Sequence, residues 1–330
     1  MSGTSQASEP DVPGTRRPAV ALIAPIALAG RWWQRVMFSE ESTASLAVVR
    51  ILTGLVILGW AVSVTPDVSD FFGAEAIAPW GSTAGGRWSL LRWWDPPGAA
   101  GALHVALVIA ALAMVVGWHT RLASLVAVVA MLAFARRNPW VFNSGDLLLR
   151  HLAFYAMLAP GGAALSVAAW RRHGTPWVFP ARAAWPRRLL QVQLSAIYLA
   201  TVVAKTGSTW HDGTAVGYAL QIEDLIRFAV PSFILDNALL VNLMTFGTLA
   251  VEVALGLLIW NRKVRPYVLV LGVGLHLSID LTLTVGFFSY AMISMYVAFL
   301  EPDLVERTLR RIRARFASGT PAEPAPSTAG

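Results

Sequence analysis

The sequence predicts an all-α fold, a polytopic transmembrane helical bundle, and three observations lead to it. Hydrophobic residues make up 56% of the 330 residues and charged residues 14%, a balance too apolar for a soluble domain. The apolar residues fall in runs of about 20, the length of helix that crosses a bilayer. Most charged residues lie between those runs. We therefore expect a multi-pass protein of the cell membrane, in contact with the lipid bilayer.

Charge and composition exclude several other classes of protein. The net charge is +7 and the pI is about 10.3, but the arginines are spread between apolar runs and form no basic face for nucleic acid. Disulfides and thiol chemistry are excluded because the chain has no cysteine. The 6 histidines occur singly, so we expect no metal site.

Eight apolar segments are predicted to span the membrane, between two terminal tails that are disordered by composition. The third segment is short and the last two are nearly continuous, so seven is the alternative count. The spans are 46–65, 99–118, 121–135, 147–168, 189–206, 238–260, 265–282 and 284–300. The regions are a tail at 1–18, an interfacial segment at 19–45 anchored by Trp32 and Trp33, the transmembrane domain at 46–300, a basic cytoplasmic helix at 301–316 and a tail at 317–330.

The basic residues predict the orientation. With the N-terminus inside, 18 of the 26 basic residues fall in cytoplasmic segments and 5 in outer segments. This asymmetry supports eight spans with both termini in the cytoplasm. Seven spans would place the arginine-rich C-terminal segment outside, against the positive-inside rule.

Lys205 is the most unusual basic residue. It ends the apolar run in "IYLATVVAKTGSTWHDG", residues 197–213, and Lys263 is the only other lysine in the chain. A lysine in an apolar site can lose its proton and act as a base, which arginine cannot do. The alternative is that Lys205 extends its ammonium to the lipid headgroups.

Other ionisable residues are predicted to lie with Lys205 in the outer half of the membrane. Asp146 and Arg150 share a helix face four residues apart, as do His276 and Asp280, and Asp212 follows in "WHDG". Charged groups inside a membrane are costly, so each is a functional candidate. The plainer alternatives are an ordinary ion pair for Asp146 with Arg150 and a core histidine for His276.

Two ionisable residues are predicted to lie nearer the inner surface. Arg50 is at the inner end of the first span, and Glu252 is about 21 Å into the sixth span at 1.5 Å per residue. Unpaired buried charges are not tolerated, so we expect Arg50 and Glu252 to form a structural ion pair.

A longer stretch, "LLQVQLSAIYLATVVAKTGSTWHDGTAVGYAL", resembles the vitamin K-dependent gamma-carboxylase-like membrane domains, also called HTTM domains. Two further segments agree with this family, "NPWVFNSGDLLLRHLAFYAMLAPGG" and "HLSIDLTLTVGFFSYAMISMYVAFL", so that the resemblance covers roughly residues 40–300. The residues that match the family's helix and turn are Gln191, Gln193, Tyr198, Lys205, Trp210 and Gly213.

The resemblance implies that Lys205 is the base that takes a proton from a vitamin K-like hydroquinone. A quinone, such as a menaquinone, or a similar lipid is then the expected ligand. On this reading His276 and Asp146 shape or polarise the catalytic site. The residues expected to bind the substrate are Arg150, Asn143, Tyr198, Trp210, Asp212 and Asp280.

Two functions of different classes stay open at this point. One is a carboxylase-like lyase or quinone oxidoreductase, favoured by one specific lysine among so many arginines. The other is a non-catalytic transport, export or lipid-binding component on the same scaffold. It is favoured because Asn143 is followed by Ser144, Gly145 and Asp146 rather than by the family's histidine. The sequence identifies no partner protein.

Overall fold

The computed structural model describes residues 19–77, 89–141 and 143–317, and these residues are mainly helical. The predicted tails lie outside the described residues, apart from Ala317 at the end of the last helix. The elements are α1 Ala19–Phe38, β1 Glu40–Ser42, α2 Ala44–Val64, α3 Val68–Phe72, α4 Leu90–Trp93, α5 Ala99–Val116, α6 Thr120–Arg137, α7 Ser144–Leu158, α8 Val167–His173, β2 Ala181–Ala183, α9 Trp185–Ala204, α10 Ser208–His211, α11 Ala215–Ala219, α12 Ser232–Leu235, α13 Ala238–Gly256, α14 Arg265–Thr282, α15 Phe288–Tyr296 and α16 Pro302–Ala317.

The eight apolar segments each overlap with one helix, namely α2, α5, α6, α7, α9, α13, α14 and α15, so the prediction of an all-α fold is confirmed. Among the described residues, three helices are long and apolar enough to cross a membrane: Ala44–Phe72, Ala99–Val116 and Ala238–Gly256. These helices support the prediction that the chain is a membrane protein. The count of eight spans and the cytoplasmic placement of both termini stay predictions.

The fourth segment is shorter than predicted. Its helix, α7, ends at Leu158, and a single 3₁₀ turn follows at Gly161–Ala163. The reason lies in the residues after the helix, because Pro160 has no backbone N–H to donate and glycines 161 and 162 favour non-helical backbone. The residues up to His173 then form the separate short helix α8.

The helices pack as two groups. The first half of the bundle, Ala44–Leu158, contains α2, α5, α6 and α7, which pack on one another. The second half, Trp185–Tyr296, contains α9, α13 and α14 in sequential contact. Helix α15 joins the halves, because it packs on α14 as well as on α2 and α7.

A short ribbon ties the halves together at one end of the bundle. Strands β1 and β2 pair antiparallel, with Glu41 opposite Arg182. Beside the ribbon, the guanidinium of Arg187 at the start of α9 binds the carboxylate of Glu41 and donates to the carbonyl of Ala298. The last helix, α16, packs against α2 and β1. Strand β1 before α2 is thereby fixed to the start of α9.

Candidate functional site: a lysine–glutamate pair next to a tyrosine–histidine chain

Lys205 lies at the C-terminal end of α9 and pairs with Glu252 of α13. Its Nζ donates to Oε1 of Glu252. Only 20% of the lysine side chain and 11% of the glutamate side chain is exposed, so most of the pair is removed from the surroundings. The Trp210 ring lies beside the same ammonium, with 5.1 Å between Nζ and the ring centroid, a cation–π distance.

The turn after Lys205 explains how Trp210 reaches it. Helix α9 ends at Ala204, and Gly207 follows with φ of +104°, a conformation that side chains with a Cβ rarely adopt. The short helix α10 begins directly after this glycine and carries Trp210. The sequence "KTGSTW" therefore folds the indole back over the lysine that precedes it.

Helix α13 runs alongside α9 and continues past its end. Trp260 donates to the Ser195 hydroxyl at 2.8 Å, and Glu252 meets Lys205 further along both helices. Beyond that point α13 packs against the short helices that follow Lys205, because Asn242 donates to the carbonyl of Gly213. At 1.5 Å per residue, Glu252 is about 21 Å from the N-terminal end of α13. Its partner Lys205, at the end of α9, therefore lies far from that end of α13.

A buried chain of hydroxyl and imidazole groups lies near the pair. The hydroxyl of Tyr198 is 2.7 Å from Nε2 of His276 and also hydrogen-bonds the Tyr296 hydroxyl. Glu252 interacts electrostatically with both tyrosines. His276 is 2% exposed and packs edge-on against the ring of Phe288. The lysine–glutamate pair and this chain, which we call the Lys205 site, thus join four helices, α9, α13, α14 and α15.

Two polar atoms of the Lys205 site have no hydrogen-bond partner within the part of the chain that the structure describes. They are Oε2 of Glu252 and Nδ1 of His276. Buried polar atoms are rarely left unpaired, and exceptions are often explained by a functional role or by a bound molecule. Among the described residues, no group of three His, Asp or Glu side chains is arranged to hold a metal ion.

The predicted ion pair between Arg50 and Glu252 is wrong. Arg50 is fully buried and donates to the carbonyls of Gly161 at 2.9 Å and Leu165 at 2.7 Å. The physical reason is that helix ends leave backbone carbonyls without partners, and a guanidinium can satisfy several of them without a carboxylate. Glu252 is then available to Lys205.

Asn143 and Asp146 form the N-terminal cap of α7. Oδ1 of Asn143 accepts from the backbone of Asp146 at 3.2 Å, and Oδ2 of Asp146 accepts from the backbone of Asn143 at 3.1 Å. This reciprocal arrangement is a capping box. Trp60 also hydrogen-bonds the Asp146 side chain. Asp146 is therefore part of a helix cap, and its role in shaping a site stays a prediction.

Arg150 lies one turn after the capping box and interacts electrostatically with Asp146, as expected for residues four apart. It lines a cavity of about 330 Å³ together with Asn143 and Arg136. This cavity is distinct from the Lys205 site. Phe288 lies between the two regions, since its backbone contacts the start of α7 and its ring contacts His276.

The remaining two predicted residues lie at the edges of the second half. Asp280 pairs with Arg227 at 3.5 Å and accepts from the Tyr290 hydroxyl at 2.7 Å. Asp212 is exposed, and its backbone carbonyl accepts from Asn242. Of the predicted residues, the structure thus brings Lys205, Trp210, Tyr198 and His276 together, with Glu252 in a different pairing from the predicted one, and leaves the others outside this cluster.

Sequence reasoning missed two features of the Lys205 site. It did not identify Tyr296, and it did not identify Glu252 as the partner of Lys205. A usable signal for Glu252 was its isolation, because it is the single charged residue in α13 and so needs a cation nearby. The predicted positions of the helix ends could not show which buried cation pairs with Glu252. Tyr296 carries no comparable signal, since a tyrosine in an apolar helix is ordinary.

These features define a class, a helical membrane protein with an ionisable site in its interior. Comparison with known families then identifies which one. The HTTM domain family matches residues 38–304, most of the chain, and the protein belongs to this gamma-carboxylase-related family of membrane proteins. The resemblance noted from the sequence is thereby confirmed. Neither curated proteins nor solved structures gave a match.

Proposed function

We propose that the protein is a membrane-embedded enzyme that takes a proton from a hydroxyl group of a quinol or a similar lipid, with Lys205 as the base. The observation that carries this proposal is the contact of Lys205 with both Glu252 and Trp210 in a largely buried place. A lysine, a carboxylate and an aromatic face are the groups that proton transfer from a flat, apolar ligand requires.

The proton transfer assigned to Lys205 begins within the pair, where the ammonium passes a proton to the carboxylate of Glu252 and becomes a neutral amine. The amine then takes the proton of the bound hydroxyl, and the electron pair of the broken O–H bond stays on the ligand oxygen. The new ammonium is stabilised by that anionic oxygen, since opposite charges attract strongly where water is scarce. The buried Tyr198–His276 chain lies close by and supplies hydroxyl and imidazole groups that can orient the ligand or pass the proton on.

The surroundings of Lys205 suit an apolar ligand that arrives from the bilayer. Val203, two residues before the lysine, is 75% exposed, and Phe246 of α13 is 47% exposed. Trp210 is half-buried and presents an aromatic face beside the ammonium. A quinone ring has the size and shape to stack on an indole, and its oxygen can then reach the lysine.

Lys205→Arg is the sharpest test of the base. Arginine preserves the ion pair with Glu252 but cannot give up its proton, so the variant should fold and bind ligand while proton transfer falls at least about a hundredfold. The readout is quinol-dependent turnover of the detergent-solubilised protein, alongside mass spectrometry of lipids that co-purify with it. The matched control is Lys263→Arg, which changes the exposed lysine and should leave both readouts unchanged.

A second variant separates loss of function from loss of fold. Lys205→Met alone would leave Glu252 buried without its partner, which is destabilising. The double variant Lys205→Met with Glu252→Gln removes both charges and should fold while retaining at least tenfold less quinone. A folded double variant with the quinone content and turnover of the wild type would overturn the proposal.

The pairing itself supports a second candidate, a non-catalytic lipid-binding or transport component. Because Glu252 neutralises Lys205, the pair could serve only to hold α9 against α13. This alternative expects Lys205→Arg to behave as the wild type in every readout. It also expects only bulk phospholipid to co-purify with both proteins.

A further inference from the structure

Another cavity lies outside the Lys205 site, at the turn between α5 and α6. Its volume is about 620 Å³. The turn at Trp118–Thr120 forms one wall, the segment 159–163 forms another, and helix α8 and strand β2 complete it. Residues from four separate parts of the chain therefore converge on this space.

The charge of this cavity is strongly positive. Four arginines line it and no acidic residue does. Each of the four is exposed, and none forms an ion pair with an acidic residue in the part of the chain that the structure describes. Arginine binds phosphate oxygens through a planar pair of N–H groups, which favours a phosphate group as the ligand. The four are Arg121, Arg171, Arg172 and Arg182.

Thr120 forms part of the wall of the cavity. Its side chain lines the cavity and is 7% exposed, yet its hydroxyl oxygen has no hydrogen-bond partner among the described residues. Gly162 lies against this hydroxyl so closely that a Cβ there would be 2.7 Å from it. Because the protein covers this oxygen, the contacts with a phosphate group fall to the four arginines.

An apolar groove continues from the basic cavity. The groove has a volume of about 280 Å³ and lies between α5 and α6. Trp118, His119 and Leu122 line both spaces, so the groove begins where the cavity ends. Its other walls are small or branched apolar side chains, such as Ala106 and Val126. A molecule with an anionic head and a hydrocarbon tail would fill both.

Arg50 fixes the wall that the two spaces depend on. Its guanidinium binds the carbonyls of Gly161, Ala164 and Leu165, which follow the end of α7. Gly117 follows α5 and has a φ of +72°. Its lack of a side chain lets the backbone approach the guanidinium of Arg50, because a Cβ on residue 117 would lie 2.4 Å from a guanidinium nitrogen. The cavity is therefore bounded by backbone that is held in one conformation.

We propose that this cavity binds the phosphate headgroup of an anionic phospholipid, with one acyl chain in the groove between α5 and α6. The arginines recognise the phosphate, and the groove selects a lipid over a soluble phosphate compound. The proposal is independent of any chemistry at Lys205. In the predicted orientation the site faces the cytoplasmic leaflet, where anionic lipids attract basic side chains.

The test is native mass spectrometry of the full-length protein in detergent, titrated with phosphatidylglycerol or with phosphatidylcholine. The wild type should retain phosphatidylglycerol preferentially. Arg171→Gln with Arg172→Gln should weaken that retention at least about tenfold, because each basic residue near an anionic lipid contributes substantially to binding. The control is Arg307→Gln with Arg311→Gln, a pair of exposed arginines on α16. Equal losses in both double variants would overturn the proposal.

Two further arms distinguish a lipid from a free anion. Ala106→Phe fills the groove without altering a charge and should weaken phosphatidylglycerol binding several-fold. Inorganic phosphate at millimolar concentration should compete poorly. If phosphate displaces the lipid fully and Ala106→Phe has no effect, the site is one for soluble anions and the lipid assignment is wrong. Thermal unfolding of each variant confirms that it is folded.

Discussion

The two halves of the bundle are built differently. In the first half, α5 and α6 face each other with buried alanines, and half of the apolar stretch of α5 is buried. In the second half, only 22% of the apolar stretch of α13 is buried, and its buried residues include Thr245 and Glu252. Small side chains let helix backbones approach closely. The comparison teaches that the first half is a tightly packed support, and that the second half holds the Lys205 site and presents more surface to lipid.

Arg50→Met should produce the largest effect on stability and tests the first half as a support. The substitution leaves several buried carbonyls without a donor, so we expect the free energy of unfolding to fall by about 3 kcal/mol or more. Unfolding in mixed micelles on titration with sodium dodecyl sulfate measures this. Arg311→Met, at an exposed position on α16, should change stability by about 0.5 kcal/mol or less. Equal costs in the two variants would contradict the role assigned to Arg50.

Two glycines compare the packing of the halves directly. A Cβ at Gly54 of α2 would lie 2.9 Å from the Val115 side chain and 3.1 Å from the Ala111 carbonyl, whereas a Cβ at Gly247 of α13 meets no atom within 4 Å. Gly54→Ala should therefore destabilise the protein by about 1–3 kcal/mol. Gly247→Ala should be neutral or stabilise it by up to about 1 kcal/mol. The same unfolding measurement decides, and a reversed order would break the comparison.

Tyr296→Phe should have the smallest effect. It removes the hydrogen bond to Tyr198 but leaves Tyr198 with His276, so we expect a loss of about 1 kcal/mol or less in unfolding free energy. If the tyrosine–histidine chain serves the proton transfer at Lys205, turnover should fall more than stability does. A variant with full turnover would show that Tyr296 only packs.

Much of the fold followed from the sequence, because apolar runs in a membrane protein must form helices to satisfy their backbone. The ends of the helices were harder to place. Helix α7 ends early because Pro160 and two glycines follow it, a local signal that the continuing apolar run at 163–168 obscured. The count of spans depends on the position of a bilayer, and helix bounds alone do not give it.

The site was only partly predictable for a related reason. Lys205 and Trp210 were predicted together because both match the family's helix and turn, and the short turn at Gly207 brings them together in the structure. Glu252 was predicted to pair with Arg50 because its depth in the membrane was counted from the N-terminal end of α13. That count assumes that neighbouring helices end at the same depth. The residues after Lys205 instead form short helices that pack along α13, so that α9 ends far below its neighbour.

The pairing of β1 with β2 has a consequence for biosynthesis. The ribosome delivers Glu40–Ser42 long before Ala181–Ala183, and domains of a nascent chain form in order from the N-terminus. The helices of the first half can therefore enter the membrane and pack while β1 still waits for its partner. We expect the ribbon to close as α9 begins to emerge, so that the helices that carry Lys205 and Glu252 are inserted from a point already anchored to the first half.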